Sequence, residues 1–399
     1  MLIRLGRLPV ILLVTAWLVF APAAAQAGSA PQLAAASAVL MDMRTGTVLY
    51  AKAAHVRRIP ASITKILTAM LVIEHGHLGR RVTVPLAAVG TPGSSVYLEP
   101  GQRLTIRDLL YGMMLVSGND AAVALSILTA GSERRFVALM NRTVRRMGLR
   151  NTHFVNPDGL PDPRHYTSAY DQAVIARAAM RLARLRRIVR TRSFVFPGAT
   201  GPVELYNEDK LLWRYPGTIG VKTGYTIEGG ETLVTAVRRG DTTLLSVLLQ
   251  DTPQGLWTDP VKLMNWGFSH FRDQELVRAG QVMGVAPVDD GHRRVKLVAL
   301  SSLWQVVRRH RPDPRQERFI PLAPLTGSVL KGQLLGRVEV VADGHLAGSV
   351  PVTAATSVLV PPGGPSPWLV ALAALGLLVA AVLRELGLRR RRRRRWALR

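Results

Sequence analysis

The sequence contains no cysteine among its 399 residues. This absence excludes disulfide bonds, a thiol nucleophile and a cysteine-ligated metal site. Acidic residues are also few, with 26 Asp and Glu against 52 Lys and Arg, which gives a formal net charge of +26. The hydrophobic content of 48% excludes a largely disordered chain and, at this length, predicts a large core and two domains.

Lysine is scarce as well. Only seven of the 52 basic residues are lysines, at positions 52, 65, 210, 222, 262, 296 and 331. Arginine stays protonated in proteins, whereas a lysine amine can lose its proton where burial lowers its pKa. A retained lysine is therefore a candidate for a chemical role, although an ordinary surface lysine is the simpler interpretation of any one position.

The N-terminus has the pattern of a secretory signal peptide. Two arginines precede an apolar run at residues 8–21, and small residues follow with the cleavage pattern Ala25-Gln26-Ala27. This pattern predicts a signal peptide at residues 1–27, cleaved before Gly28. An uncleaved membrane anchor is the alternative interpretation.

The C-terminus has the pattern of a membrane anchor. Residues 368–383 form an uncharged run of 16 residues, which as a helix is about 24 Å long and spans a bilayer where Arg384 snorkels. Seven consecutive arginines follow, and by the positive-inside rule they mark the cytoplasmic side. A nucleic-acid-binding tail is the rival interpretation, which the adjoining apolar run disfavours. We predict a linker at 361–367, a transmembrane anchor at 368–388 and an Arg-rich cytoplasmic tail at 389–399.

Positive charge also remains in the body of the chain. Removing the +8 of residues 384–399 and the +2 of residues 1–27 from the total leaves +16. Much of this charge lies in residues 177–192, which have the pattern of one helix with a basic face. Such a face favours anionic surroundings such as phospholipid headgroups or wall polymers, and a simply solvated face is the alternative.

Two kinds of pattern divide the chain between its ends. Up to about residue 271 helical and strand patterns are mixed, with helices predicted at 62–74 and 119–130 and hairpins predicted to turn at Thr45-Gly46 and near Gly240. From about 276 to 360 short apolar runs alternate with Gly and Pro turns, and no long helix stands out. This second part predicts a small all-β module.

The stretch "PASITKILTAM" at residues 60–70 places Ser62 three residues before Lys65. On a helix, residues i and i+3 share a face, so the lysine amine lies within reach of the serine hydroxyl. A serine becomes a nucleophile when an adjacent base removes its proton. The aliphatic residues that follow predict a buried helix, and burial lowers the pKa of a lysine.

Two further motifs complete a constellation. "LVSGNDAAVAL" supplies Ser117 and Asn119 just before a helix, and "TIGVKTGYT" supplies Lys222, Thr223 and Gly224 where we predict a β-strand to begin. Alone, the first is most often a helix N-cap and the second an exposed strand end. Together, in this order, the three motifs match the Ser-x-x-Lys, Ser-x-Asn and Lys-Thr-Gly set of penicillin-recognising acyl-serine enzymes.

From about residue 34 to 360 the chain closely resembles the low-molecular-mass penicillin-binding proteins, the D-alanyl-D-alanine carboxypeptidases. The likeness also includes "SSVYLEPGQRLTIRDLLYGMMLVSGNDA", "FVNPDGL", "HYTSAYDQA" and "LLWRYPGTIGVKTGYT". It implies an α/β (α+β) catalytic domain of the penicillin-recognising transpeptidase/β-lactamase type at 28–275. A β-rich domain at 276–360 and the C-terminal membrane helix follow, with the enzyme at the extracytoplasmic face of a bacterial membrane.

The resemblance also implies a serine-type reaction that removes the terminal D-Ala from peptidoglycan stem peptides, with β-lactams as covalent inhibitors and no metal or organic cofactor. It implies Ser62 as nucleophile, Lys65 as base, and Ser117 and Asn119 as proton relay and substrate-amide contact. It implies Lys222 and Thr223 as contacts of the terminal carboxylate, and Gly224 as space for the substrate backbone. The implied oxyanion hole consists of the N–H groups of Ser62 and Tyr225. One feature departs from the family pattern, because the segment after the strand that follows Lys-Thr-Gly has no arginine before Lys262.

Other functions remain as alternatives. A class A β-lactamase needs a glutamate that activates the deacylating water, and Glu204, three residues before Asn207, is the one that fits the motif. A Ser-His-Asp hydrolase lacks its Gly-x-Ser-x-Gly elbow here, and a metal site at residues 74–77 competes with their interpretation as a helix end at Gly76. A non-catalytic wall-binding module would need the motif residues only for packing, and burying a lysine for packing is costly. Endopeptidase and transpeptidase reactions of the same superfamily stay open.

Overall fold

The computed structural model describes residues 30–289, 291–309, 315–342, 344–360 and 367–396. The predicted signal peptide at 1–27, most of the predicted linker at 361–367 and the last three residues of the tail lie outside the described residues. The chain divides into two compact units between His270 and Phe271. The sequence-based boundary at residue 275 stays a prediction.

Strands and helices alternate through the first unit. Its strands are β1 (Ser37–Asp42), β2 (Val48–Lys52), β3 (Arg81–Thr83), β4 (Arg103–Thr105), β5 (Ser193–Gly198), β6 (Gly201–Tyr206), β7 (Thr218–Thr226), β8 (Gly230–Arg239) and β9 (Thr242–Asp251). Its helices are α1 (Lys65–His75), α2 (Ile106–Leu115), α3 (Asn119–Ala130), α4 (Glu133–Arg146), α5 (Ala169–Ala179), α6 (Ala183–Val189), α7 (Leu211–Arg214) and α8 (Gly255–His270). Short 3-10 helices lie at Ala61–Thr64 and Leu86–Ala88.

A five-stranded antiparallel sheet of order β2-β1-β9-β8-β7 forms the centre of this unit. Its inner strands β1, β8 and β9 are buried on both faces because helices cover both. Val39 and Val247 join the large core that contains α1 to α3, whereas Leu40 and Leu248 join a second core with α8. Alternate residues therefore serve different cores, which explains why β1 and β9 read as continuous apolar runs.

The structure confirms several local predictions. Strands β1 and β2 form the hairpin predicted at Thr45-Gly46, and β8 and β9 form the one predicted near Gly240. Helix α3 coincides with the helix predicted at 119–130. Helix α1 ends at His75, and Gly76 follows in an extended conformation. This agrees with the prediction that residues 74–77 form the end of a helix.

The single basic helix predicted at 177–192 is wrong. The chain ends α5 at Ala179, turns, and starts α6 at Ala183. The turn lets the buried faces of both helices reach the large core. Arg186 stabilises the break, because its Nη1 lies 2.6 Å from the carbonyl oxygen of Met180 and 2.8 Å from that of Arg181, two acceptors that the helix end leaves open.

The second unit is a β module followed by a helix. Its strands are β10 (Phe271–Val277), β11 (Val282–Val288), β12 (Arg293–Ala299), β13 (Leu303–Arg308), β14 (Arg315–Pro321), β15 (Leu334–Ala342) and β16 (His345–Ala354). They form a five-stranded sheet of order β11-β12-β16-β15-β14 and a β10-β13 pair, around a separate apolar core. The all-β module predicted from the sequence is confirmed.

Helix α9 (Pro367–Trp396) follows the module. Its residues Trp368–Glu385 form an 18-residue window of mean hydropathy 2.0 with no part of it buried against the protein. By length and composition this helix is a candidate membrane anchor.

Candidate active site

Ser62 lies in the 3-10 turn that leads into α1. Sequence reasoning placed it on a regular helix, but the α-helix begins only at Lys65. In a 3-10 turn residues i and i+3 eclipse each other, which brings the two side chains closer than an α-helix would. Lys65 Nζ lies 2.9 Å from Ser62 Oγ.

The Lys65 amine is buried and has three hydrogen-bond partners. Besides Ser62 Oγ, Nζ lies 2.7 Å from Asn119 Oδ1 and 2.7 Å from the backbone oxygen of Asp158. The side chain has 0% of its surface exposed. Burial lowers the pKa of Lys65 from 10.5 to about 7, and the positive charge of Lys222 lowers it as well, against the opposing effect of the Asp158 carboxylate.

The three partners of Lys65 differ in what they can do. An amide oxygen and a peptide oxygen only accept hydrogen bonds, whereas a hydroxyl also donates. A neutral amine has two N–H donors and one lone pair, so it donates to Asn119 and Asp158 and turns its lone pair toward Ser62. The arrangement therefore orients a deprotonated Lys65 to accept the proton of the Ser62 hydroxyl.

Asn119 is held in the orientation that Lys65 needs. Its Nδ2 donates to the backbone oxygen of Pro92 at 2.7 Å, which assigns Oδ1 to the side of the lysine. Its own backbone N–H donates to the oxygen of Ser94 at 2.7 Å. The resemblance implied a contact with the substrate amide, and the second N–H of Nδ2 remains able to make it.

Backbone strain occurs at two of the three motifs. Ala61, directly before Ser62, has φ 52°, and Ser117 has φ 63°. Left-handed backbone costs non-glycine residues about 1–3 kcal/mol and concentrates at functional sites. Ser117 is 4% exposed, and its hydroxyl makes no hydrogen bond within the part of the chain that the structure describes.

Strand β7 carries the third motif at the edge of the central sheet. Lys222, Thr223 and Gly224 lie in the middle of this strand, so the prediction that it begins at the motif is wrong. Gly220, with φ 105°, lies in the irregular stretch where the β7–β8 register shifts between Thr218 and Val221. Because a glycine interrupts the strand pattern there, the sequence did not show that β7 begins at Thr218. Among the described strands β7 pairs with β8 alone in the sheet, so its outer edge can pair with an extended ligand.

Gly224 is the point where β7 meets the Ser62 turn. A Cβ atom at this position would lie 2.7 Å from the backbone N of Ser62 and 2.6 Å from Thr232 Oγ1. Thr232 Oγ1 in turn lies 3.0 Å from the oxygen of Pro60 and 3.1 Å from that of Gly224. The absence of a side chain thus makes room for the Ser62 backbone; that it also makes room for substrate stays a prediction.

The two predicted oxyanion donors belong to the Ser62 turn and to β7. The backbone N of Ser62 lies beside Gly224, and Tyr225 is the next residue of β7. The Tyr225 side chain is 60% exposed, so its ring extends toward solvent and the position contributes through its backbone.

Lys222 is the second buried lysine, with a different set of neighbours. Its Nζ lies 3.5 Å from Glu208 Oε2 and 3.4 Å from Thr223 Oγ1. Burial lowers its pKa, while the carboxylates of Glu208 and Asp209 act in the opposite direction. Asp209 is itself buried, which raises the pKa of its carboxyl to about 6.

Sequence reasoning missed several residues around this site. His165 is 1% exposed; its Nδ1 accepts from the Val155 N–H at 3.3 Å, so Nε2 carries the proton and faces Thr64 Oγ1 at 2.9 Å. Burial lowers the pKa of His165 to about 4, so its imidazole is neutral near pH 7. The stretches "FVNPDGL" and "HYTSAYDQA" contain Asp158 and His165. Their spacing in the sequence does not predict that Asp158 contacts the Lys65 amine or that His165 contacts the 3-10 turn of Ser62.

Comparison with known proteins agrees with the geometry. The family model "D-alanyl-D-alanine carboxypeptidase" matches residues 24–252, and the model of the C-terminal domain of penicillin-binding protein 5 matches residues 271–359. The chain belongs to the D-alanyl-D-alanine carboxypeptidase family. As a member of this family it is a serine hydrolase, and the family acts on peptidoglycan peptides ending in D-Ala-D-Ala and binds β-lactams.

Relatives of this carboxypeptidase cover most of its length. It is 32% identical to the D-alanyl-D-alanine carboxypeptidase DacF of Bacillus subtilis over 80% of this chain and 85% of DacF. It is 32% identical to DacA of Escherichia coli, over 79% of this chain and 81% of DacA. The crystal structure of penicillin binding protein 5 from Haemophilus influenzae has a TM-score of 0.71 at 30% identity and covers 83% of this chain and 99% of that one.

The alternative β-lactamase assignment is not favoured for this carboxypeptidase. Glu204 lies on β6 and is exposed, and its Oε2 accepts from the Tyr206 hydroxyl at 2.8 Å. Asn207 donates through Nδ2 to the backbone oxygens of Val189 and Thr191, both at 3.0 Å. Both side chains are thus engaged away from Ser62, and the catalytic and β modules together match the carboxypeptidase family.

We predict that Gly224→Ala nearly abolishes acylation of Ser62 by a fluorescent penicillin. The new methyl group must push the Ser62 backbone away, and a misplacement of about 1 Å costs roughly 10²-fold in rate. Gly79→Ala is the matched control, because a Cβ there meets nothing within 4 Å. A Gly224→Ala protein that is labelled within about twofold of the wild-type rate would contradict this account of the close contact.

Proposed function

We propose that this carboxypeptidase removes the terminal D-Ala from stem peptides through an acyl-enzyme on Ser62, with Lys65 as the base. The observation that carries the proposal is the buried Lys65 amine. Two of its three partners can only accept hydrogen bonds, and the third is the Ser62 hydroxyl. A base with a pKa of about 7 is matched to neutral pH.

In the first step Ser62 Oγ attacks the carbonyl carbon of the penultimate D-Ala while its proton passes to Lys65 Nζ. The N–H groups of Ser62 and Tyr225 stabilise the oxyanion. The C–N bond then breaks, the departing D-Ala amine takes up a proton, and the peptide remains as an ester on Ser62. Ser117, a residue that is 4% exposed, relays this proton from Lys65 to the amine.

Binding of substrate follows from the edge of β7. The substrate backbone lies along this strand, with its terminal carboxylate at Lys222 and Thr223 and its amide at Asn119. A water molecule then hydrolyses the ester and releases the shortened peptide. A β-lactam acylates Ser62 in the same first step, but its leaving nitrogen stays attached to the acyl group. The acyl-enzyme on Ser62 therefore persists.

We further propose that residues 368–388 anchor the enzyme in a membrane with the catalytic unit on the extracytoplasmic side. The apolar window Trp368–Glu385 supports the anchor, and the arginines at 389–395 support the orientation. The tail supplies location, whereas the residues proposed for the chemistry all lie before residue 226.

The direct test of the reaction is mass spectrometry of a pentapeptide muropeptide after incubation with the purified protein. We expect the loss of one alanine, with no new cross-linked species. Ser62→Ala is the control and is expected to leave the pentapeptide intact. Conversion to a cross-linked dimer without free D-Ala would show a transpeptidase instead.

The role of Lys65 is tested by Lys65→Arg. Because a guanidinium keeps its proton near neutral pH, we expect penicillin labelling of Ser62 to fall by about 10² to 10⁴-fold. In the wild-type enzyme the second-order labelling rate should rise with pH through about 7, since Lys65 acts as base only after losing its proton.

Lys222→Arg is the matched control, because arginine also binds carboxylates. It should retain far more labelling than Lys65→Arg. A Lys65→Arg protein that is correctly folded by circular dichroism and labels as fast as wild type would remove Lys65 from the mechanism.

The membrane proposal predicts that a shortened protein of residues 28–360 is soluble without detergent and keeps the wild-type labelling rate. The reason is that the apolar window is deleted while every proposed catalytic residue is retained. Fractionation of cells that express the two forms measures the outcome. Recovery of the shortened protein in the membrane fraction would contradict the assignment of the anchor.

A further inference from the structure

A carboxylate of the protein already lies where we propose that the substrate carboxylate binds. Glu208 Oε2 is 3.5 Å from Lys222 Nζ and accepts from Thr223 Oγ1 at 3.3 Å. The same two side chains are the proposed contacts of the substrate's terminal carboxylate. The site therefore contains an internal counterpart of the charged end of its ligand.

The backbone around Glu208 is held firmly while its side chain is open to solvent. The Glu208 N–H donates to the backbone oxygen of Leu115, at the end of α2. Asn207 is bonded to Val189 and Thr191, and its Oδ1 accepts from the Asp209 N–H at 3.0 Å. The Glu208 side chain is nevertheless 44% exposed, so it can swing into water without unfolding its surroundings.

We propose that Glu208 is a place-holding counter-ion, which a substrate carboxylate must displace from Lys222 and Thr223, and which thereby weakens the enzyme's preference for a charged peptide end. This inference rests on the proposed function, because it assumes that Lys222 and Thr223 bind the peptide's C-terminus. Glu208 does not touch the reacting atoms. It sets specificity through the two residues that it occupies.

Two effects of Glu208 oppose each other, and their sizes decide the expected sign. Glu208 favours the protonated form of Lys222, which helps to bind a carboxylate. It also competes for the same ammonium and hydroxyl and repels a second negative charge. The incoming carboxylate replaces the first effect, because it brings the same negative charge to the same ammonium, and Asp209 adds to it. The competition therefore dominates.

The test measures ligand binding to protein that cannot react. In a Ser62→Ala background, an N-acylated peptide ending in D-Ala-D-Ala and its C-terminal amide are titrated by ligand-observed NMR. We expect Glu208→Gln to tighten binding of the acid about fivefold, the factor for roughly 1 kcal/mol. Binding of the amide should change by less than about twofold, since it carries no charge to compete.

Glu204→Gln is the matched control, because it removes the same charge from a carboxylate that is bonded to Tyr206 rather than to Lys222. It should leave the ratio of acid to amide affinity unchanged. If Glu208→Gln weakens acid binding, Glu208 serves only to keep Lys222 charged, and the inference is overturned. An unchanged ratio overturns it equally.

Failure of the proposed function would be visible elsewhere. It would show as a lack of D-Ala release or of Ser62 labelling in protein that retains Ser62. The binding ratio does not depend on either reaction. The two failures are therefore separate results.

Discussion

The active site depends on one constraint, which is that a lysine amine without access to water must satisfy all of its hydrogen bonds inside the protein. Lys65 does so with three neutral partners, and no carboxylate is among them. Neutral partners do not repay the cost of burying a charge, so the amine's pKa falls to about 7. The same contacts that bury the amine leave only Ser62 able to donate to it.

The surrounding fold serves to hold those three partners in place. Asn119 is fixed by the carbonyl of Pro92, and Gly159, the residue after Asp158, packs directly on the Ser62 turn. A Cβ at Gly159 would lie 2.0 Å from the oxygen of Ala61, and the residue has φ +93°, so only glycine fits. Thr232 connects the other side of the same turn to β7. The Ser62 backbone is thus confined from two directions, which is how the strained φ of Ala61 is maintained.

The sequence predicted the parts of this site that depend on short-range spacing. The Ser62–Lys65 pair follows from a three-residue separation, and the two sheet hairpins follow from Gly turns between apolar runs. What it missed depends on contacts between distant residues. Asp158 contacts Lys65 across 93 positions through its backbone oxygen. Every residue has such an oxygen, so the residue type gives no sign of this contact. Likewise the break between α5 and α6 depends on Arg186 capping the first helix, whereas the basic pattern itself is compatible with one continuous helix.

The two buried lysines show how neighbours assign different chemistry to one residue type. Both amines are fully buried, yet Lys222 has carboxylates nearby, whereas the direct partners of Lys65 carry no charge. Carboxylates oppose the effect of burial on Lys222 and favour its charged form, which is the form that binds an anion. A positive charge on Lys222 in turn lowers the pKa of Lys65, because a second proton on a nearby amine is repelled. A charged Lys222 therefore helps to keep Lys65 neutral. An arginine at position 65 would stay protonated, so the charge of Lys222 could not make it neutral.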